Sequence, residues 1–298
     1  MKVGIFGAGY SGREIGGLLS NGNTGVWGTS RDKAHFDSLA ERNITPVIFE
    51  GAVLSDELLQ LLNQTTHLIV SIAPSRTKTP TKICDPTLNA IGNTPLLDIA
   101  PNLEWIGYLS TVGVYGNHDG AWVDENTAAT PASERSQQRV CAENEWLSVG
   151  DMLNIPVGIF RLAGIYGPGR NAIINAKNKT SRRLVKSGQV FNRIHVKDIA
   201  QALSLAAHQK ACGIFNITDD EPAPPQDVVS LAHQLIGTGP PPEIDFESAD
   251  LTPMARSFYG ENKRVSNAKS KLILGMDYQY PNYRSSLKQM WEGNDWRG

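Results

Sequence analysis

The stretch "KVGIFGAGYSGREIGGLLS", residues 2–20, decides the fold. Its first residues form a short, largely apolar run, the pattern of a strand buried on both faces, and Tyr10 onward has the composition of a helix. Between them Gly7, Gly9 and Gly12 stand as G-x-G-x-x-G. Gly7 permits a tight turn, Gly9 lets backbone approach a pyrophosphate, and Gly12 lets the helix pack closely on the strand. The helix N-terminus adds free amides and a partial positive charge. A strand, a glycine turn and a helix in that order predict a dinucleotide cradle, with Tyr10 and Ser11 on its rim.

Outward from there, "TGVWGTS" (24–30), "TPVIFE" (45–50), "HLIVSIA" (67–73), "LEWIGYLS" (103–110) and "IPVGIFRL" (155–162) read as further strands. Helical "RDKAHFDSLAERN", "SDELLQLLNQ", "TKICDPTLNAI" and residues 131–149 separate them. This alternation predicts an α/β fold, a doubly wound parallel Rossmann sheet. Beyond Gly164 the pattern changes. "GIYGPGRNA", "RIHVKDIAQALSLAA" and "GIFNITDD" are punctuated by the breaks "EPAPPQ" and "GTGPPPEI". The expected division is residues 1–163 as an NAD(P)-binding Rossmann domain. Residues 164–298 form a mixed region that completes the sheet and builds a small C-terminal substrate lobe.

Of 298 residues, 28 are Lys or Arg and 30 are Asp or Glu, a formal net charge of −2. That balance argues against a nucleic-acid partner. No apolar run approaches the ~20 residues of a membrane span, and the N-terminus has no signal-peptide pattern, so a cytoplasmic protein is expected. Cys84, Cys141 and Cys212 lie far apart with no C-x-x-C pair, which predicts reduced structural cysteines, no disulfide and no metal site.

The end of the second strand bears on the choice of dinucleotide. NAD binders tend to place an acid there for the ribose 2′-hydroxyl, whereas this chain has Thr29, Ser30 and Arg31. Hydroxyls and a guanidinium suit a 2′-phosphate, so NADP is favoured, with Asp32 keeping NAD possible. Ala73 and Pro74, after the fourth strand, complete the expected cofactor contacts.

At "LSTVGVYG" (109–116), "IFRLAGIYGPGR" (159–170), "RIHVKDIAQAL" (193–203) and "NKRVSNAKSKLILGM" (262–276) the chain resembles the extended short-chain dehydrogenase/reductases. These form the NAD(P)-dependent epimerase/dehydratase family, and the likeness is greatest to an atypical, YeeZ-like branch. The resemblance implies that Thr111 orients a substrate oxygen. It also implies a Tyr and, four residues on, a Lys at positions occupied here by Arg135 and Arg139, with Glu143 matching the family's acid. Arg stays protonated near neutral pH, so it cannot take the tyrosine's place as general acid/base. Arg139 could still hold the nicotinamide ribose, as the Lys does. Tyr115 and Tyr166 are the substitute proton carriers. His118 reads as a surface residue and His195 as a strand residue bonded to a loop.

Arg135, Arg170, Asn171, Arg193 and Arg256, with Lys263 and Arg264 nearby in sequence, suit an anionic ligand. The expected function is an NAD(P)-binding, epimerase/dehydratase-like oxidoreductase acting on a small anionic or nucleotide-sugar-like substrate. The alternative is a catalytically silent NADP(H)-binding sensor. A homodimer is expected through helices near 82–92 and 131–149, where Ile83, Leu88, Ile91, Val140, Trp146 and Leu147 supply apolar surface.

Overall fold

Strand β1 (Lys2–Phe6) pairs in parallel with β2 (Gly25–Ser30) on one side and β4 (His67–Val70) on the other. The computed structural model describes residues 1–20, 24–74 and 83–298, Met254 by backbone only. With β3 (Ile44–Ile48), β5 (Trp105–Thr111), β6 (Val157–Leu162) and β7 (Gly213–Ile217) the strands form one seven-stranded sheet, ordered β3-β2-β1-β4-β5-β6-β7. Every strand pair in it is parallel, and the chain reverses direction across the sheet between β1 and β4. Such a reversal leaves a crevice at the carboxyl ends of the strands.

Burial on both faces explains the apolar strands. One face packs against α1 (Tyr10–Leu19), through Ile5, Ile15 and the Leu203 helix. The other packs Phe6, Leu68, Val70, Ile106 and Tyr108 under Leu58, Leu62 and Trp146. β7 comes from the second half of the chain and adds the edge strand beside β6. Outside the sheet, Tyr166, Ile173, Tyr280, Tyr283, Leu287 and Met290 form a separate apolar cluster.

Several expected elements change length. The helix expected over 31–43 becomes a single turn at Lys33–His35 and a short helix at Phe36–Ala40, because the Asp32 carboxylate accepts from Ala34 N–H and starts the turn. Of "TKICDPTLNAI", Thr81 and Lys82 lie outside the described residues and the helix, α2, is Pro86–Ile91. The helix expected over 131–149 is α3, Glu134–Leu153; Ser133 caps its start and Asn154, at φ 53°, ends it. Residues 193–207 divide into a short strand, Arg193–His195, and α4, Val196–Gln209.

The cysteine expectation is corrected. Cys84 and Cys141 form a disulfide with Cα atoms 6.1 Å apart, and Cys212 is free and exposed. Sequence spacing concealed this because the bond spans 57 residues, and only the β/α winding sets the segment before α2 against the middle of α3. Of the apolar residues expected at a dimer interface, Leu88, Ile91 and Trp146 are buried against the chain's own sheet, while Ile83 is exposed. Val140 and Leu147 are half-buried.

The most heavily buried ion pair joins α3 to the sheet. Arg161 on β6 donates through Nε and Nη2 to the Glu143 carboxylate, at 3.2 and 2.7 Å, and both side chains are 5% exposed or less. Removing one partner strands the other charge, which typically costs about 3–5 kcal/mol. Glu143→Ala is therefore expected to lower the urea midpoint strongly. Glu292→Ala, which breaks an exposed i, i+4 pair with Lys288, should change stability by about 0.5 kcal/mol or less.

Candidate active site

The glycine turn is held open by its neighbours. Gly7, at φ +89°, donates its N–H to Thr29 Oγ1 at 2.9 Å, and Ala8 N–H donates to the Thr29 carbonyl at 2.9 Å. A Cβ on Gly12 would sit 2.6 Å from the Gly7 carbonyl oxygen, so the first turn of α1 can lie this close to the glycine turn only with glycine there. Gly9 faces open space. It precedes α1 with no side-chain cap, and the first turn carries no acid, which leaves the amides and the dipole to an anion. These features fit a dinucleotide pyrophosphate. Tyr10 turns outward to donate to the Pro168 carbonyl at 2.9 Å, tying α1 to the second lobe.

At the end of β2 the expected residues separate. Thr29 is buried and occupied by the glycine turn, so its hydroxyl does not face a ribose. Ser30 bonds the Asp32 backbone, and Asp32 caps the next turn. Arg31 is exposed. Ala73 is exposed and Pro74 half-buried beyond β4.

Beyond α1 lies a cleft of 610 Å³, lined by Ser11, by the ends of β4 and β5, by the first turns of α3, and by loops of the second lobe. Thr111, Arg135, Arg139, Tyr166, Arg170 and Arg193 all line it. Thr111 Oγ1 accepts from Gly113 N–H at 3.1 Å and caps the following turn. Arg135 stands exposed at the start of α3. Arg139 reaches back to the sheet, donating to the Leu109 carbonyl at 2.7 Å and the Tyr108 hydroxyl at 3.3 Å.

Four expectations need correction. Tyr115 lies wholly inside: its hydroxyl donates to Asn216 Oδ1 at 2.8 Å and its ring stacks under Arg161, so it does not reach the cleft. Tyr166 lines the cleft with its ring, but its hydroxyl is covered and without a partner among the described residues, and burial pushes its pKa far up. Asn171 spends both amide hydrogens on the Gly167 and Trp296 carbonyls and caps a helix turn through Oδ1, so it is a structural clasp. Arg256 lies outside the cleft, over the Phe246 ring and bonded to the Ala249 carbonyl.

Residues that the sequence reading passed over also line the cleft, among them Ser71, Ser110, Asn192 and Glu261. Ser110 donates to Glu143 in a very short hydrogen bond. Lys263, almost buried, donates to Glu261 and to the Gly116 carbonyl, both at 2.6 Å. Strand alternation beside Thr111 could have flagged Ser110. Glu261 stands in a stretch without periodicity and carried no signal. One group of metal-ligand type, Cys84, Cys141 and Glu145, has its ligand atoms within 4.8 Å, but its two sulfurs are bonded to each other.

Over residues 5–218 the chain matches the NAD dependent epimerase/dehydratase family. It belongs to that family. It is 27% identical over 290 residues to the Escherichia coli K12 protein YeeZ, covering 94% of this chain and 96% of that one. A structure of a functionally unknown conserved protein from Silicibacter pomeroyi DSS shares 42% identity over 99% of both chains, with a TM-score of 0.86. The dTDP-glucose 4,6-dehydratase of Bacillus anthracis, solved with NAD, has the same fold at 17% identity, with a TM-score of 0.75 over 100% of this chain and 98% of that one. Among the described residues no helix is long and apolar enough to cross a membrane.

Beside Arg193, burial pushes Asp219 up to about 8 although the guanidinium pulls the other way. The folded chain thus holds an extra proton that the unfolded chain releases near pH 4, and stability is lost as pH rises through 8. Two other buried groups act at lower pH. Burial drives His195 down to about 3, so its contribution is lost as pH falls below 6.5. Burial raises Asp198 to about 6, and its contribution is lost as pH rises through that value. Between pH 6.5 and 8 the Asp219 effect stands apart. Urea melts should show wild type losing about 1–2 kcal/mol across that window, whereas Asp219→Asn stays flat; equal slopes would reject the assignment.

Proposed function

We propose that the protein is a cytoplasmic NADP(H)-linked oxidoreductase of the epimerase/dehydratase type acting on a small anionic, nucleotide-sugar-like molecule. One observation carries this reading. A cleft at the sheet's carboxyl edge runs from an uncapped glycine cradle to Arg135, Arg139, Arg170, Arg193 and Lys263, with Glu261 the one acid among the described lining residues. The family supplies the redox partner class, and nucleotide-sugar enzymes share the fold.

In this reading Gly7, Gly9, Ser11 and the α1 amides hold the pyrophosphate and Arg31 the 2′-phosphate. When bound, the nicotinamide would supply the hydride acceptor or donor. Thr111 orients the reacting oxygen at the end of β5. Arg135 pairs with a carboxylate or phosphate of the substrate and Arg139, fixed on the Leu109 carbonyl, fills the lysine's place beside the ribose. No tyrosine hydroxyl among the described residues opens into the cleft, so the proton passes to water or to the substrate's own groups. The same observation favours one second reading, a catalytically silent NADP(H) sensor.

Titration with NADPH and NADH separates the cofactor choice. NADPH should bind more tightly, and Arg31→Ala should weaken NADPH alone by about 1.5–3 kcal/mol; equal wild-type affinities would remove NADP. For the substrate side, mass spectrometry of ligand carried through native purification supplies the probe. Arg135→Ala should bind that anion tenfold or more weaklier than wild type while its NADPH affinity changes little. Turnover of the captured ligand with NADP, followed at 340 nm, distinguishes the enzyme from the sensor.

A further inference from the structure

Beside the cleft lies a smaller cavity of 260 Å³. Ile165, Tyr166, Arg170 and Arg193 line both, so the two spaces share a wall. The rest of this annex is mostly carbon. Ala172 opens the helix Ala172–Lys177, Val228 comes from the helix Pro225–Leu235, and Tyr283 and Leu287 lie one turn apart on the helix Tyr283–Glu292. The Tyr283 hydroxyl is covered, so its ring is what the annex meets. Asn171 has committed both amide hydrogens to carbonyls, and Asn175 stands exposed. Among the described residues no acid lines the annex.

The charge in the shared wall is fixed in place and left open on one side. Arg193 Nη1 donates to the Phe191 carbonyl at 2.9 Å and to the Ala223 carbonyl at 3.1 Å. Among the described residues its Nε and Nη2 make no hydrogen bond and the side chain forms no ion pair. Nε and Nη2 make up one edge of a guanidinium, the edge through which Arg161 holds Glu143. Two N–H groups side by side fit the two oxygens of a carboxylate. Arg170, exposed and likewise without an ion pair among the described residues, adds a second cation to this wall.

We propose that the annex binds a small carboxylic acid with one apolar ring, its carboxylate on Arg193 and its ring against Ala172, Val228, Leu287 and Tyr283. This rests on the reading of the neighbouring cleft as an anion site. An apolar cavity of roughly 150 Å³ already holds benzene, so 260 Å³ takes one ring with its carboxyl group. A nucleotide is too large, since pockets for drug-sized ligands start at roughly 300 Å³. Both halves of the ligand are needed. A bare anion leaves the apolar wall uncovered, and an uncharged ring leaves the guanidinium edge unfilled. Bound in this way, the acid keeps its ring out of the cleft and sets its charge at the cleft's edge.

Calorimetric titration of the full-length protein tests this with benzoate, cyclohexanecarboxylate, acetate and benzyl alcohol. The two ring acids should bind about tenfold or more tightly than acetate, which lacks the ring, and than benzyl alcohol, which lacks the charge. Ala172→Trp fills the annex from a half-buried position, and Arg193→Lys keeps the charge while losing the paired donors. Each should weaken benzoate about tenfold or more, and thermal melts check that each is folded; should one melt early, the other decides. Arg135→Ala, which alters the cleft alone, should leave benzoate binding unchanged. Benzoate affinity that is no better than that of acetate or benzyl alcohol, or that survives the folded variants, overturns the annex site. Inorganic phosphate, titrated against wild type and Arg135→Ala, reads the cleft separately. If benzoate does not bind while phosphate binds and depends on Arg135, the annex falls and the anion reading of the cleft stands. If neither binds, both fall.

Discussion

The carboxylate of Glu143 is the constraint on which the site depends. It sits 2% exposed between three elements, receiving Arg161 from β6 and Ser110 from β5 while belonging to α3. A buried carboxylate is tolerable only when its lone pairs are filled and its charge is matched, and here both conditions are met by partners fixed on the sheet. The rotation of α3 about its own axis follows. With Glu143 turned inward, Arg139 one turn earlier must lie along the sheet edge, and Arg135 one turn before that reaches the mouth of the cleft. The guanidinium of Arg161 then lies 4.7 Å from the Tyr115 ring centre, and Tyr115 bonds Asn216 on β7. One ion pair thus links α3 with the three strands on that side of the sheet.

That arrangement explains how α3 is placed. The helix is placed by Glu143, Trp146 and the buried face behind them, none of which involves the exposed residue at 135. Arg139 donates to the Leu109 carbonyl near the end of β5. The residues that set the helix, Glu143 and Trp146, are thus distinct from those it presents to the cleft, Arg135 and Arg139.

Much of the fold was legible because its signals are local. The glycine turn and the both-faces-buried strands each act over a few residues, so the parallel sheet and the turn that opens α1 could be read directly. The readings that failed depend on distant partners. Tyr115 looks available beside Gly116, yet Asn216, 101 residues on, takes its hydroxyl. Asn171 resembles a ligand contact until Trp296 closes on its amide. Thr29 sits where a ribose would be expected, but the glycine turn 22 residues earlier already uses its oxygen. Cys84 and Cys141 meet only after two crossovers are wound. For Tyr115, Asn171 and Thr29 the polar group was read and its partner was not, and for the cysteines the bond itself was missed.

Charge completes the picture of the cleft. The whole chain is formally −2, yet the cleft lining carries Arg135, Arg139, Arg170, Arg193 and Lys263 against Glu261. Lys263 is paired with Glu261 at 2.6 Å, and its near-burial lowers its pKa. Among the described residues Arg139, Arg170 and Arg193 form no ion pair. Burial pushes the pKa of Asp219, which interacts with Arg193, up to about 8. A low-dielectric concavity with uncompensated cations focuses the field on whatever enters. An oxidised nicotinamide would add another positive charge to it. In the proposed reading an anionic substrate would relieve both at once, so the two ligands would each make the other's site less unfavourable, with the cleft arginines as the groups that couple them.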